Sequence, residues 1–391
     1  MRCATRLPLR VWPGLICHLR RTAFGAGCRR HALSLFSRFA QWWKGDAVAA
    51  VEPATAPEPG RKRGVVDHVI ILDGTLSTLE QGQEGNAGLL FHLLASGGRT
   101  AHRTLYYEQG SQWTGWRNGL DLATGKGLNR QIIRAYGWLA SHYRAGDRIF
   151  LFGYSRGAYA VRSLAGVIDR VGLVQHKHAT ERGVMLAFRH YQRNPDSISA
   201  QAFGRAFCHA DAPIQMVGVW DSVKALGIRL PLLWMLTDKH HLFHDHRLGK
   251  SIQHGFHALA MHETRRVFEP IMWACTPDTL GRVQQMWFRG AHGDVGGMIG
   301  PDTAARALAN IPLVWMIEQA AAVGLAIPDG WRARYPCDPA APMVGTMRGW
   351  GMWFLLRRKR MIGRDPSEQV HPTAVGPVPN KGWVWPLTRR L

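Results

Sequence analysis

Three residues in this chain have the types and the order that nucleophilic acyl chemistry needs. Ser155 stands at the centre of Gly153-Tyr154-Ser155-Arg156-Gly157, between the apolar run RIFLFG (148–153) and a helical pattern over 157–171. A serine hydroxyl is a weak nucleophile at neutral pH and needs a base, and the base needs a carboxylate to fix its tautomer. A sharp strand-to-helix turn holds the hydroxyl clear of the backbone, and glycine on both sides lets strand and helix approach closely. Downstream, Asp221 closes the run IQMVGVW (214–220), and His292 follows VQQMWF (283–288) in the glycine-rich stretch FRGAHGDVGG. The order serine, acid, histidine suits a hydrolase built around such a turn. Ser155 is therefore the expected nucleophile, Asp221 the orienting acid and His292 the base. Asp294 is either a rival acid or a carboxylate that fixes its own loop, and the chain order favours Asp221.

The developing oxyanion needs two N–H donors. One is expected from Arg156, where the helix dipole also points at the reacting carbonyl. The other is expected near Thr75 and Leu76, in the turn that follows VVDHVIIL (65–72). Asp73 opens that turn, either as a simple turn former or as a support that hydrogen-bonds the elbow.

Positioning these residues requires strand ends gathered on one edge of a sheet. Five strands are readable: 65–72, 103–108, 148–153, 214–220 and 283–288. Helical patterns lie near 126–144, 157–171, 181–193, 252–261 and 303–323. Alternation of this kind gives an α/β-hydrolase-like fold, a mainly parallel central sheet with helices on both faces, plus lid-like insertions. The hydrolase domain is expected over 64–335. The irregular, His-rich stretch 222–250 is a candidate lid, and the Pro- and Gly-rich 336–391 a tail packed on the domain. Residues 1–63 read as a basic leader and linker. Ala32, Leu35, Phe36, Phe39 and Trp43 fall at helical spacing there, which suits a membrane-surface helix as well as one docked on its own domain.

The stretch from about 65 to 330 resembles the bacterial α/β-hydrolase family catalogued as domain of unknown function 2235, which includes phospholipase effectors of type VI secretion. The resemblance rests on five motifs in family order: DGT (73–75), GDRIFLFGYSRGAYAVRSLAG, GVWDSVKALG, HALAMHETRRVFEP and WFRGAHGDVGG. It implies a catalytic serine, aspartate and histidine, carried by Ser155, Asp221 and His292. Two positions depart from the pattern. His262 precedes Glu263 and Arg265 where an acidic residue is usual, and Met298 follows DVGG where a third glycine is usual.

The chain carries 49 Lys and Arg against 27 Asp and Glu, a net charge of +22. Twelve of those bases, against three acids, lie in residues 1–64. No nucleic-acid-binding motif claims the charge, so no nucleic-acid partner is expected. An anionic membrane surface accounts for it as well, and RGWGMWFLLRRKR (348–360) either sits on lipid or packs on the domain. The six cysteines form no CxxC pair or regular framework, which points to reduced thiols. The His cluster at 240–246 lacks fixed ligand spacing, so neither metal nor cofactor is expected. The sequence thus predicts a serine ester hydrolase acting on an ester or lipid, cytoplasmic and peripheral to a membrane at most. A soluble small-ester carboxylesterase and a non-catalytic membrane-binding scaffold are the alternatives. The oligomeric state is not legible.

Overall fold

Apolar runs punctuated by helices build a sheet whose strands are buried from both sides. The computed structural model describes residues 48–51, 64–98, 100, 102–110, 126–223, 247–347 and 356–374. In chain order the strands are β1 (Val48–Val51), β2 (Asp67–Leu72), β3 (Arg103–Glu108), β4 (Arg148–Tyr154), β5 (Ile214–Trp220), β6 (Ile252–Ala260), β7 (Val283–Phe288) and β8 (Glu368–Val370). The helices are α1 (Asn86–Ser96), α2 (Lys126–His142), α3 (Arg156–Arg170), α4 (Glu181–Arg193), α5 (Ile198–Phe207), α6 (His292–Gly296) and α7 (Arg306–Ala322).

All eight strands join one sheet in the order β1-β3-β2-β4-β5-β6-β7-β8. Among these strands only β1 runs antiparallel to its neighbour; the other strand pairings of the described residues are parallel. A parallel sheet needs crossovers that cover both faces, so its strands read as continuous apolar runs. Every residue of β2 and of β3 is buried. Among the described residues, no helix is long and apolar enough to cross a membrane.

The structure differs from the sequence reading at several elements. Residues 252–261 were expected as a helix, but Ile252–Ala260 is β6, paired between β5 and β7. A short apolar run with no caps cannot be assigned by periodicity, and burial on both faces removes the alternation that marks a strand. Val48–Val51, inside the expected linker, pairs with Leu105–Glu108 as the antiparallel edge strand. Helices α1 and α5 and the three-residue β8 carry no clear sequence signal. The membrane-surface helix in 1–45, residues 224–246 of the candidate lid (222–250) with its His cluster, and residues 348–355 lie outside the described residues.

Candidate active site

Parallel strands deliver their C-terminal ends to one edge, and four neighbouring strands each place a site residue there. Ser155 follows β4, Asp221 follows β5, Glu263 lies just beyond β6 and His292 begins α6 after β7. The ladder continues past the strand ends: Ser155 N donates to Trp220 O (3.0 Å), and Asp221 N donates to Ala258 O (2.8 Å).

The elbow at Ser155 has φ 56° and ψ −118°, a left-handed conformation that a side chain rarely adopts. Two glycines make room for it. A Cβ on Gly157 would lie 2.0 Å from Leu72 O, and one on Gly153 would lie 2.6 Å from Gly157 O. The following helix α3 starts at once with Arg156.

His292 Nε2 lies 2.8 Å from Ser155 Oγ, and Nδ1 lies 2.6 Å from Asp221 Oδ2. All three side chains are buried, Asp221 fully. The structure therefore brings the expected nucleophile, base and acid into one hydrogen-bonded chain. Asp221 also has positive φ (41°). Its Oδ1 accepts from Ala260 N (3.0 Å), and Arg360 contacts both its oxygens. Burial alone would raise the Asp221 pKa, but the Arg360 charge and the Arg360 and His292 hydrogen bonds hold it well below the usual carboxylate range.

Asp294 is not part of this chain. Its carboxylate accepts from Ala291 N (2.8 Å), Val344 N (2.7 Å) and Gly345 N (3.2 Å), tying the turn before His292 to a distant loop. Asp73 holds its own turn: Gly74 N donates to Oδ1 (2.6 Å) and Tyr107 Oη donates to Oδ2 (2.8 Å). Burial pushes its pKa up to about 6 against the pull of those donors. The turn it opens carries Thr75 and the exposed Leu76, whose φ is 63°. That turn packs beside the elbow, since a Cβ on Gly74 would lie 3.3 Å from Ser155 Cβ.

The imidazole is further constrained by residues that chemistry at the level of sequence did not single out. Tyr154 and Phe268 both stack on it, with ring centroids at 4.9 and 4.5 Å. Glu263 accepts from His292 N (3.1 Å) and takes a two-pronged contact from Arg265 (2.8 and 2.6 Å). Burial would raise the Glu263 pKa, and the Arg265 hydrogen bonds and charge reverse that, so it stays ionised. The departing His262 accepts from Gly290 N through Nδ1 (3.1 Å), a contact that fixes the same loop. The pairing of Glu263 with Arg265 two residues on was visible in HETRR, but its contact with His292 joins two separate loops.

A buried serine–histidine–aspartate chain at the C-terminal edge of a mainly parallel sheet, with the serine on a strained elbow, defines an α/β-hydrolase fold. Over residues 67–319 the sequence matches the family model for the catalytic domain of Tle1-like phospholipase effectors of the type VI secretion system, and the chain belongs to that family. An uncharacterized protein of Saccharomyces cerevisiae is 26% identical over 235 residues, covering 54% of this chain and 33% of its own length. The chain thus spans about a third of that curated relative. Among solved structures, the Tle1 effector bound to the VgrG spike is 18% identical with a TM-score of 0.33, covering 65% of this chain and 57% of that one. A butyrate-bound esterase from Thermogutta terrifontis is 14% identical with a TM-score of 0.39, covering 72% of this chain and 91% of that one.

Proposed function

We propose that the chain is a serine hydrolase that cleaves carboxylic esters through an acyl-enzyme, with acyl lipids of the phospholipid class as substrates. The observation that carries the reading is the continuous hydrogen-bonded path from Ser155 Oγ through His292 to Asp221. In the first half-reaction His292 Nε2 takes the Ser155 proton as Oγ attacks the acyl carbon, while Asp221 accepts from Nδ1–H and stabilises the imidazolium. The oxyanion is met by the N–H of Arg156 and by N–H groups of the turn at Thr75 and Leu76. His292 then gives its proton to the leaving alkoxide. Water attacks the acyl-enzyme with His292 again as base, and the free acid leaves.

Membership of a phospholipase effector family supports a phospholipid substrate. Arg156 supports it as well, since it adjoins the nucleophile and has no ion-pair partner among the described residues. The test uses purified full-length protein, a fluorophosphonate probe, and a panel of soluble esters and phospholipid vesicles. The expected outcome is labelling at Ser155 and hydrolysis that Ser155→Ala lowers by about 10⁴-fold or more with the fold intact. Activity of Ser155→Ala within about tenfold of wild type refutes the mechanism, because so small a loss is not that of a nucleophile. Hydrolysis of short soluble esters with no gain on vesicles refutes the lipid substrate alone.

A further inference from the structure

The segment 356–374 follows the family-matched region and returns to the sheet edge, where it delivers one guanidinium to the site. Arg360 Nη1 lies 2.5 Å from Asp221 Oδ1 and Nη2 lies 2.9 Å from Oδ2. The same guanidinium donates to the carbonyls of Ala260 and Phe268. Its side chain is only 6% exposed, although Leu356, Arg358, Lys359 and Met361 around it are exposed. The segment is tied down on both sides of this residue. Arg266 N donates to Leu356 O (3.0 Å) and Arg358 N to Thr264 O (2.6 Å), while β8 pairs with β7 further on. Trp287 Nε1 donates to Glu368 (2.8 Å), and Cys275 N to Asp365 (2.8 Å).

A fully buried carboxylate without a counter-charge relieves its burial by taking up a proton. Beside an imidazole, that proton is shared by the pair. A pair holding the additional proton on Nε2 has no lone pair to offer Ser155. A guanidinium is charged at every working pH, so its contact opposes the second proton.

Other groups around the pair do not replace it. Tyr154 on β4 is neutral, and Asp73 lies beyond it after β2. His257 on β6 is pushed by burial down to about 3 and stays neutral, accepting from Ser222 N. Arg162 on α3 is spent on the carbonyl of Ile271. Glu263 is matched by Arg265.

We propose that Arg360 is a positioning residue of the Asp221–His292 pair: its forked contact locks the Asp221 carboxylate and supplies the fixed positive charge that keeps the carboxylate ionised. The inference rests on the hydrolase reading above. It makes the C-terminal segment a working part of the site.

The test compares full-length wild type, Arg360→Gln, Arg360→Lys, Arg360→Ala and Lys359→Gln, each checked for folding by circular dichroism, on a soluble p-nitrophenyl ester from pH 5 to 10. For Arg360→Gln the acid limb of kcat/KM is expected to move up by at least about one pH unit. Activity at neutral pH should then fall about 10- to 100-fold and recover in part at high pH. Arg360→Lys keeps the charge without the fork, so its limb should stay in place while the plateau drops about tenfold. Lys359→Gln, which removes the neighbouring exposed charge, should match wild type.

A pocket of about 310 Å³ lined by Arg360, Glu263, Arg265, Trp273 and Asp365 gives a small cation access to the vacated place. Added guanidinium ion should therefore restore part of the activity of Arg360→Ala, and sodium at the same ionic strength should not. An unmoved acid limb in folded Arg360→Gln overturns the proposal, whether the rate is unchanged or lowered equally at all pH. If the glutamine variant does not fold, an Arg360→Lys plateau equal to wild type overturns it. Failure of the hydrolase reading is distinct: wild type would not label at Ser155, or Ser155→Ala would keep its activity.

Discussion

Asp221 and Asp294 are two carboxylates beside His292, one on its ring and one on its loop, and replacing each by asparagine separates their parts. Asp221 faces four donors: His292 Nδ1, Ala260 N and the two nitrogens of Arg360. An asparagine there offers one oxygen and turns an NH₂ toward donors, so the imidazole loses its fixed tautomer. That loss costs about 10⁴ in turnover, or about 5 kcal/mol at 1.36 kcal/mol per factor of ten. The substitution also leaves the Arg360 guanidinium buried without its anion, a defect of about 3–5 kcal/mol in stability.

Asp294 accepts from three backbone N–H groups, Ala291, Val344 and Gly345. An asparagine oxygen can still serve Ala291 and Gly345, which both use Oδ2, and the Val344 N–H is left facing the amide. One unsatisfied buried donor costs about 1–3 kcal/mol, and a loosened loop should lower turnover by only about tenfold. The assay is kcat/KM on a soluble ester beside thermal melts of both variants. A greater loss of activity in Asp294→Asn than in Asp221→Asn, with both folded, refutes the assignment of the acid.

Phe268→Ala removes a ring stacked on His292 at 4.5 Å, over which Arg265 also lies at 4.3 Å. A stacked pair contributes about 0.5–1.5 kcal/mol, so kcat should fall about 3- to 10-fold with KM little changed, and no change in steady-state rate would remove the ring from the positioning of the base. Asp73 tests the pH dependence of stability. Its pKa is raised from 3.8 to about 6 in the folded chain, so the folded state holds the extra proton and stability falls as pH rises through that window. The shift corresponds to about 3 kcal/mol. Asp73→Asn should therefore gain on wild type between pH 4 and pH 7 in urea denaturation, and a constant difference between the two proteins over that range would contradict the buried-acid account.

The elbow at Ser155 was legible because its context is contiguous: strand, glycine, serine, glycine and helix follow one another within about twenty residues. The Asp221 and His292 positions were legible because each closes or follows an apolar run in the expected order. Strand β6 was not. Its burial on both faces erases the period-two pattern, and His254 and His257 inside it imitate the polar side of a helix. Arg360 was hidden for a different reason. In RGWGMWFLLRRKR it is one of a run of bases that reads as a solvated or lipid-facing block, and only the tertiary course of 356–374 separates it from Arg358 and Lys359. Glu263 stood in a recognisable motif, yet its contact with the backbone of His292 depends on β6 and β7 being neighbours.

Three residues with side chains have positive φ at the site, Leu76 in the turn after β2, Ser155 and Asp221, and the last two are held by the sheet itself. Ser155 and Asp221 both have positive φ, a conformation that costs about 1–3 kcal/mol at a residue with a side chain. Each sits one residue beyond a strand, and each is held by a ladder hydrogen bond to the next strand, Ser155 N to Trp220 O and Asp221 N to Ala258 O. Val223 N returns to Ser155 O, closing the elbow onto the residue pair after the acid. The relative placement of Ser155 and Asp221 is therefore set by the register of β4, β5 and β6 and not by the long connections between them. Loops can lengthen or change without moving the two groups. His292 is held otherwise, by stacking on Tyr154 and Phe268 and by the Glu263 and Asp294 carboxylates that fix its loop. Substitutions in those supports should alter how well the imidazole is aimed, while the strained pair beneath it stays where the sheet puts it.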